Sequence, residues 1–172
     1  DQKRKLLARI NEEPKGPLLE IGVGRGDNLP LYTHGPVTGI DVSEGMLAFA
    51  RKKAPPDCTL RIMDACALEF PDGSFNYCVL SYVLSVVEAP GRVMDEVHRV
   101  VRPGGRVFII NHESHGPVRE QLNKQLAHLS RFLHFSAVFS LGDIVYAAKF
   151  TQVHRGEYGI FPKVTMQVLE RV

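Results

Sequence analysis

Five short apolar runs, each bounded by Gly, Pro, Asp or Asn, recur along the first two thirds of the chain: PLLEIG at 17–22, VTGID at 37–41, TLRIMD at 59–64, FNYCVLSY at 75–82 and RVFIIN at 106–111. Runs this apolar and this short read as buried strands. Helical patterns separate them, clearest in VMDEVHRVV, where Val93, Val97, Val100 and Val101 fall on one face ahead of Pro103, Gly104 and Gly105. Strand and helix alternate five times. Two further strands are expected from FTQVHR and from the alternating KVTMQVLERV, the last of them antiparallel. The expected fold is α/β: a Rossmann-like, mostly parallel seven-stranded sheet with helices on both faces and an antiparallel last strand. Such sheets bind ligands at the carboxyl ends of their strands.

After Asn111 the rhythm changes. Val118, Leu122, Leu126, Leu129 and Leu133 predict a long helix over 117–135, and Ser140 three residues before Asp143 resembles a capping box that opens a short second helix. The segment 117–149 therefore reads as a helical insertion within a single domain over 1–172, since 172 residues, 44% of them hydrophobic, suit one core. The chain opens on Asp1 and the charged DQKRKLLARI, so a segment upstream of it is expected to be missing. No apolar run reaches the roughly 18 residues needed to cross a bilayer, and nothing reads as a signal peptide, which points to a cytoplasmic chain. Cys58, Cys66 and Cys78 are odd in number and lack C-x-x-C spacing, an argument for reduced thiols rather than disulfides or zinc. A net charge of +2 gives no case for nucleic acid.

Within LLEIGVGRGDNLPLY, Gly22, Gly24 and Gly26 stand at alternate positions just after Glu20. Bare backbone there lets a ligand approach the main chain, and a following helix start would offer free N–H groups. The spacing is not the dinucleotide G-x-G-x-x-G, and Asp27 sets a negative charge where a pyrophosphate would rest, which counts against a nicotinamide cofactor. A glutamate ahead of the first glycine instead suits a ligand with a cationic amino group, such as S-adenosylmethionine. Asp41, 21 residues after Glu20, is placed to accept both hydroxyls of a ribose. Asp64, followed by Ala65, is placed to take an adenine amino group, with Val42 and Met46 as apolar contacts to the ring. Each has a plainer reading: both aspartates could cap a following helix, and Met46 could belong to the core.

In this order, E-x-G-x-G-x-G, GIDVS, MDACALEFPDGSFN and VVRPGGR resemble the class I S-adenosylmethionine-dependent methyltransferases, well over about 18–111 and loosely over the closing strands. The resemblance implies a cofactor site formed by Glu20, Gly22, Gly24, Gly26, Asn28, Asp41, Val42, Met46, Asp64, Ala65, Ser81 and Tyr82, with S-adenosylhomocysteine as product. The stretches SYVLSVVEAPGRVMDEVHRVVRPGG at 81–105, IINHESHGP at 109–117 and NLPLY at 28–32 further resemble the bacterial phosphatidylethanolamine N-methyltransferases of the membrane-associating kind. Tyr82 to Val87 and the Asn111–His112 pair carry that match, while Glu113 stands where the family has an aromatic or apolar residue.

From this resemblance follow an N-methylation of phosphatidylethanolamine and its methylated intermediates toward phosphatidylcholine, catalytic candidates Tyr82, Asn111 and His112, and peripheral association with the inner membrane. Tyr82 and His112 could equally be packing residues. Arg119, Lys124, His128, Arg131 and His134, together with Lys3, Arg4, Lys5 and Arg9, suit an anionic membrane surface or simply a solvated one. Two other functions stay open: methylation of a small soluble or quinone-like acceptor, and a non-catalytic module that binds the same ligand. A thiol-based acceptor mechanism is disfavoured by the unpaired cysteine spacing. Oligomeric state is not legible.

Overall fold

Seven strands form one sheet in the order β3-β2-β1-β4-β5-β7-β6 in the computed structural model, which describes residues 2–112, 149–158 and 164–172. The strands are β1 (Leu18–Ile21), β2 (Val37–Asp41), β3 (Cys58–Ile62), β4 (Phe75–Ser81), β5 (Val101–His112), β6 (Phe150–Tyr158) and β7 (Val164–Arg171). The first five run parallel. β7 is antiparallel to both of its neighbours, so β6 points the same way as the first five. Strand order reverses between β1 and β4, which places the topological switch point beside the glycine turn.

Helices cover both faces. α1 (Gln2–Asn11) and α2 (Glu44–Ala50) pack on one, through Leu6, Leu7 and Ile10 and through Leu47 and Ala50, against Leu18, Val79, Phe108 and Met166. α3 (Pro90–Val100) packs on the other. Its Val93, Met94, Val97 and Val100 are fully buried against Leu19, Ile21, Leu80 and Ile109. Pro90 starts α3 where a missing N–H does no harm.

Several expectations change. Strand and helix do not alternate five times: β1 leads to β2 through a single 3-10 turn, Leu29–Leu31, and β3 leads to β4 through turns alone. Pro30 in one connection and Pro71 with Gly73 in the other suit turns rather than helix. The charged opening forms a packed helix, α1. Arg9 pairs with Glu12 and Glu13, and Glu13 also binds Arg106 of β5 at 2.5 Å, which ties α1 to the sheet. β5 starts before the Pro-Gly-Gly stretch, not after it. Val101 faces Phe75 and Arg106 faces Tyr77, so residues 102–105 loop out as a bulge, with Gly104 at φ 70°. The expected helix over 117–135, the Ser140–Asp143 cap and most of the 117–149 insertion lie outside the described residues.

Candidate functional site

The glycine turn follows β1, and its three glycines have different surroundings. All three have positive φ: 69° at Gly22, 52° at Gly24 and 75° at Gly26. A Cβ on Gly22 would meet Val83 Cγ2 at 2.5 Å, and one on Gly26 would meet the Ala50 Cα at 2.7 Å. Those two glycines permit close packing within the protein. At Gly24 a Cβ would have nothing within 4 Å, so the bare face there is turned to open space.

Asp41 clamps this turn to the end of β2. Its carboxylate accepts from the Gly24 N–H at 2.8 Å and the Ser43 N–H at 2.9 Å. The helix cap is Ser43, whose Oγ accepts from the Met46 N–H, so Asp41 supports the turn rather than capping α2 directly.

Glu20 sits elsewhere than the open cleft. It is buried beneath the turn, where Asn28 Nδ2 donates to its Oε1, and Tyr32 packs in the same buried region. Burial first, then the Glu20 charge, pushes the Tyr32 hydroxyl and the Cys78 thiol well above their ordinary values and Cys58 to about 11. The 3-10 turn after Asn28 replaces the α-helix start expected to follow the glycines. Asp27 pairs with Lys53 instead of facing a ligand.

A cleft of about 230 Å³ opens at the carboxyl ends of β1 to β4. Six of the residues expected at the cofactor site line it: Gly22, Asp41, Val42, Ala65, Ser81 and Tyr82. Ile21, Ile40, Met63, Val83, Val86 and Val87 complete the wall. These were missed because an apolar residue next to a strand reads as core. Only the fold reveals them: Val86, 56% exposed, is an apolar side chain turned outward at the same opening as the expected Val42.

Glu20, Gly24, Gly26, Asn28, Met46 and Asp64 do not line this cleft. Asp64 lies two residues past the end of β3, and its Oδ1 accepts from the Cys66 N–H in a local turn, with no helix to cap. Met46 is exposed on α2 rather than in the core. The connection carrying Met63 to Ala65 is held by Arg99, whose guanidinium donates to the carbonyls of Leu68 and Phe70 and to Asp72 and Glu96.

Tyr82, directly after β4, has φ 62° although it is not glycine, and its N–H donates to the Ile110 carbonyl on β5. A bulky residue in that conformation is strained and persists only where its surroundings hold it, often at a working site. Burial raises its hydroxyl pKa, so it is neutral near pH 7 and offers an oxygen, not a base. Asn111 and His112 end β5, opposite Thr165 and Val164 of β7. The Asn111 Oδ1 is buried and has no hydrogen-bond partner among the described residues.

Residues 19–109 match the family described as a methyltransferase domain. A phosphatidylethanolamine N-methyltransferase of Cereibacter sphaeroides is 42% identical over 147 residues, covering 81% of this chain and 71% of that protein. A demethylmenaquinone methyltransferase of Symbiobacterium thermophilum is 31% identical over 117 residues, and the chain spans only 47% of its length. In structure, an S-adenosylmethionine-dependent methyltransferase from Methanosarcina mazei shares the fold at a TM-score of 0.75, with 17% identity and 96% of each chain covered. The fold and the cleft at the switch point define a nucleoside-binding α/β enzyme. The chain belongs to the S-adenosylmethionine-dependent methyltransferases.

The site fits that cofactor. The turn is bare at Gly24, the carboxylate-bearing Asp41 lines the cleft, and the exposed Val42 and Val86 give it apolar walls, a chemistry suited to a nucleoside with a charged tail.

Proposed function

We propose that the chain methylates the amino group of phosphatidylethanolamine and its partly methylated products, at the surface of an anionic membrane. The observation that carries this reading is the 42% identity, over 81% of the chain, to a phosphatidylethanolamine N-methyltransferase. The quinone-methylating relative is 31% identical over 62% of the chain and supports the second reading, a quinone-like acceptor.

When bound, S-adenosylmethionine supplies an electrophilic methyl group on a sulfonium. The protein's part is then to place a nucleophile in line with that methyl, about 3 Å away and shielded from water. Asp41 binds the ribose while its existing bonds hold the glycine turn in shape. Val42, Met46 and Val86 flank the base, and Asp64 and Ala65 meet its edge. Glu20, fixed by Asn28, sets a negative charge beneath the turn near the donor's amino group. Ser81 and Tyr82 close the cleft on the acceptor side.

The acceptor amine must be neutral to attack. Its lone pair forms the new N–C bond as the methyl's bond to sulfur breaks; after the first and second transfers the resulting ammonium loses a proton, and after the third the quaternary nitrogen has none to lose. Tyr82 and Asn111 orient the amine through their oxygens, and His112 accepts the proton.

A surface beside the cleft supports access to lipid. Phe49 on α2 is exposed, with the Arg25 guanidinium 4.9 Å and the Lys52 ammonium 5.5 Å from its ring. An exposed aromatic between two cations suits an anionic interface. Among the described residues no helix is long and apolar enough to cross a membrane.

The test is to incubate the protein with methyl-labelled donor and vesicles containing phosphatidylethanolamine, then separate the lipids. Label in the mono-, di- or trimethylated head groups is the expected result. Donor binding by calorimetry with no labelled lipid would sink the reading and favour a quinone-like acceptor.

A further inference from the structure

We propose that Thr165, opposite Asn111 on β7, supplies a second hydrogen-bond acceptor that holds the N–H bonds of the amine being methylated. This rests on the amine-acceptor reading above and names a residue that reading does not use.

Asn111 and Thr165 are direct partners across the β5–β7 ladder. Side chains directly opposite in an antiparallel pair project to the same face, with Cβ atoms about 5 Å apart. Along β5 that face is shared by Val107 and Ile109, which join the cluster containing Met63, Ala65 and Val83 of the cleft wall. Because β7 runs antiparallel, its first residues lie at the carboxyl end of β5, the edge where the cleft opens. The Tyr82 N–H donates to Ile110, the residue before Asn111. Tyr82, Asn111 and Thr165 therefore sit on three adjacent strands, and two strand spacings, about 10 Å, separate the first from the last.

Two oxygens in this row have no hydrogen-bond partner among the described residues. Thr165 is 8% exposed, and its Oγ1 is buried and makes no hydrogen bond; the same is true of the Asn111 Oδ1. Buried oxygens are nearly always paired, so these two, on residues directly opposite across the ladder, leave room for a donor that none of the described residues supplies to them. A neutral primary amine has two N–H bonds. Binding one to Asn111 Oδ1 and the other to Thr165 Oγ1 would satisfy both oxygens and turn the nitrogen lone pair away from them, toward the methyl.

The N–H count of the substrate gives the test. Phosphatidylethanolamine has two N–H bonds as the neutral amine, its monomethyl form one and its dimethyl form none. Initial rates on these three lipids are compared for the wild type, Thr165→Val and Thr165→Ser. Thr165→Val removes the hydroxyl and keeps the shape. It should lower kcat/KM about fivefold on the primary amine, the worth of a hydrogen bond of ordinary strength. The effect should be smaller on the monomethyl lipid and within a factor of 1.5 on the dimethyl lipid, with donor affinity unchanged. Thr165→Ser should restore all three rates.

An equal fall on all three lipids would mean that Thr165 only supports the strand, and would overturn this proposal alone. Wild-type protein that labels none of the three would overturn the acceptor reading and this proposal with it.

Discussion

Replacing Gly24 and Gly26 by Ala, one at a time, separates the two uses of the glycine turn. Both have positive φ, 52° and 75°, so either alanine incurs about 1 to 2 kcal/mol of backbone strain. Only at Gly26 does the new methyl collide with protein, at 2.7 Å from the Ala50 Cα and 2.9 Å from its Cβ. That contact is with a helix backbone and cannot rotate away, which adds about 1 to 3 kcal/mol of overpacking. Gly26→Ala should therefore lose about 2 to 5 kcal/mol, and Gly24→Ala only the strain. For a chain of this size, each kcal/mol lowers Tm by roughly 2 to 4 °C.

Ligand binding should rank them the other way. The methyl on Gly24 enters space left open for the donor, and a steric cost of about 1 to 3 kcal/mol there weakens binding roughly 5- to 150-fold. Folded Gly26→Ala should bind within a few-fold of wild type. Calorimetric titration with S-adenosylhomocysteine and thermal unfolding of each variant read the two effects independently. If Gly24→Ala bound the ligand within a factor of two of wild type, the donor would not lie over this turn. If Gly26→Ala were no less stable than Gly24→Ala, the packing argument would fail.

Asp41→Ala should weaken S-adenosylhomocysteine binding by a few kcal/mol in calorimetry, because it removes ribose contacts and also frees the Gly24 and Ser43 N–H groups; a change under twofold would refute the assignment. Arg99→Ala should lower stability by about 2 kcal/mol through lost bonds to the Leu68 and Phe70 carbonyls, read from the urea midpoint, and should loosen the Met63–Ala65 side of the cleft. Stability should fall as pH rises from about 9 toward 11. Cys58, held up to about 11, stays protonated in the fold while its unfolded counterpart ionises near 9, and the raised Cys78 and Tyr32 extend the loss to higher pH. Urea midpoints measured between pH 8 and 11 should show this slope, and Cys78→Ala should flatten it.

What could be read from sequence follows from how local each signal is. β1 and β4 were visible because central parallel strands are apolar on both faces, whereas the edge strand β3, half exposed, showed mainly through its bounding turns. α1 was hidden by its charges: Leu6, Leu7 and Ile10 make a buried stripe too short to stand out among Lys3, Arg4, Lys5 and Arg9. The start of β5 was hidden by Pro103, Gly104 and Gly105, which ordinarily end an element, whereas the bulge absorbs them and lets Val101 keep its place beside Phe75.

The site divides along the same line. Asp41, Ser81 and Tyr82 were legible because strand ends in this fold have fixed uses, but the burial of Glu20 depends on Asn28 folding back eight residues later. Thr165 had no sequence signal at all, since its position opposite Asn111 arises from an antiparallel pairing between segments more than fifty residues apart. The donor half of the cleft is built from β1 to β4 and their turns, contiguous chain whose motifs sit close together. The acceptor side proposed above rests on the register of β5 against β7. A shift of that register by one residue would put Val164 or Met166 opposite Asn111 and turn Thr165 to the far face, leaving the donor site intact. On the proposed amine contacts, acceptor choice would change through pairing at the sheet's closing edge while the glycine turn, Asp41 and the cleft between β1 and β4 stay as they are.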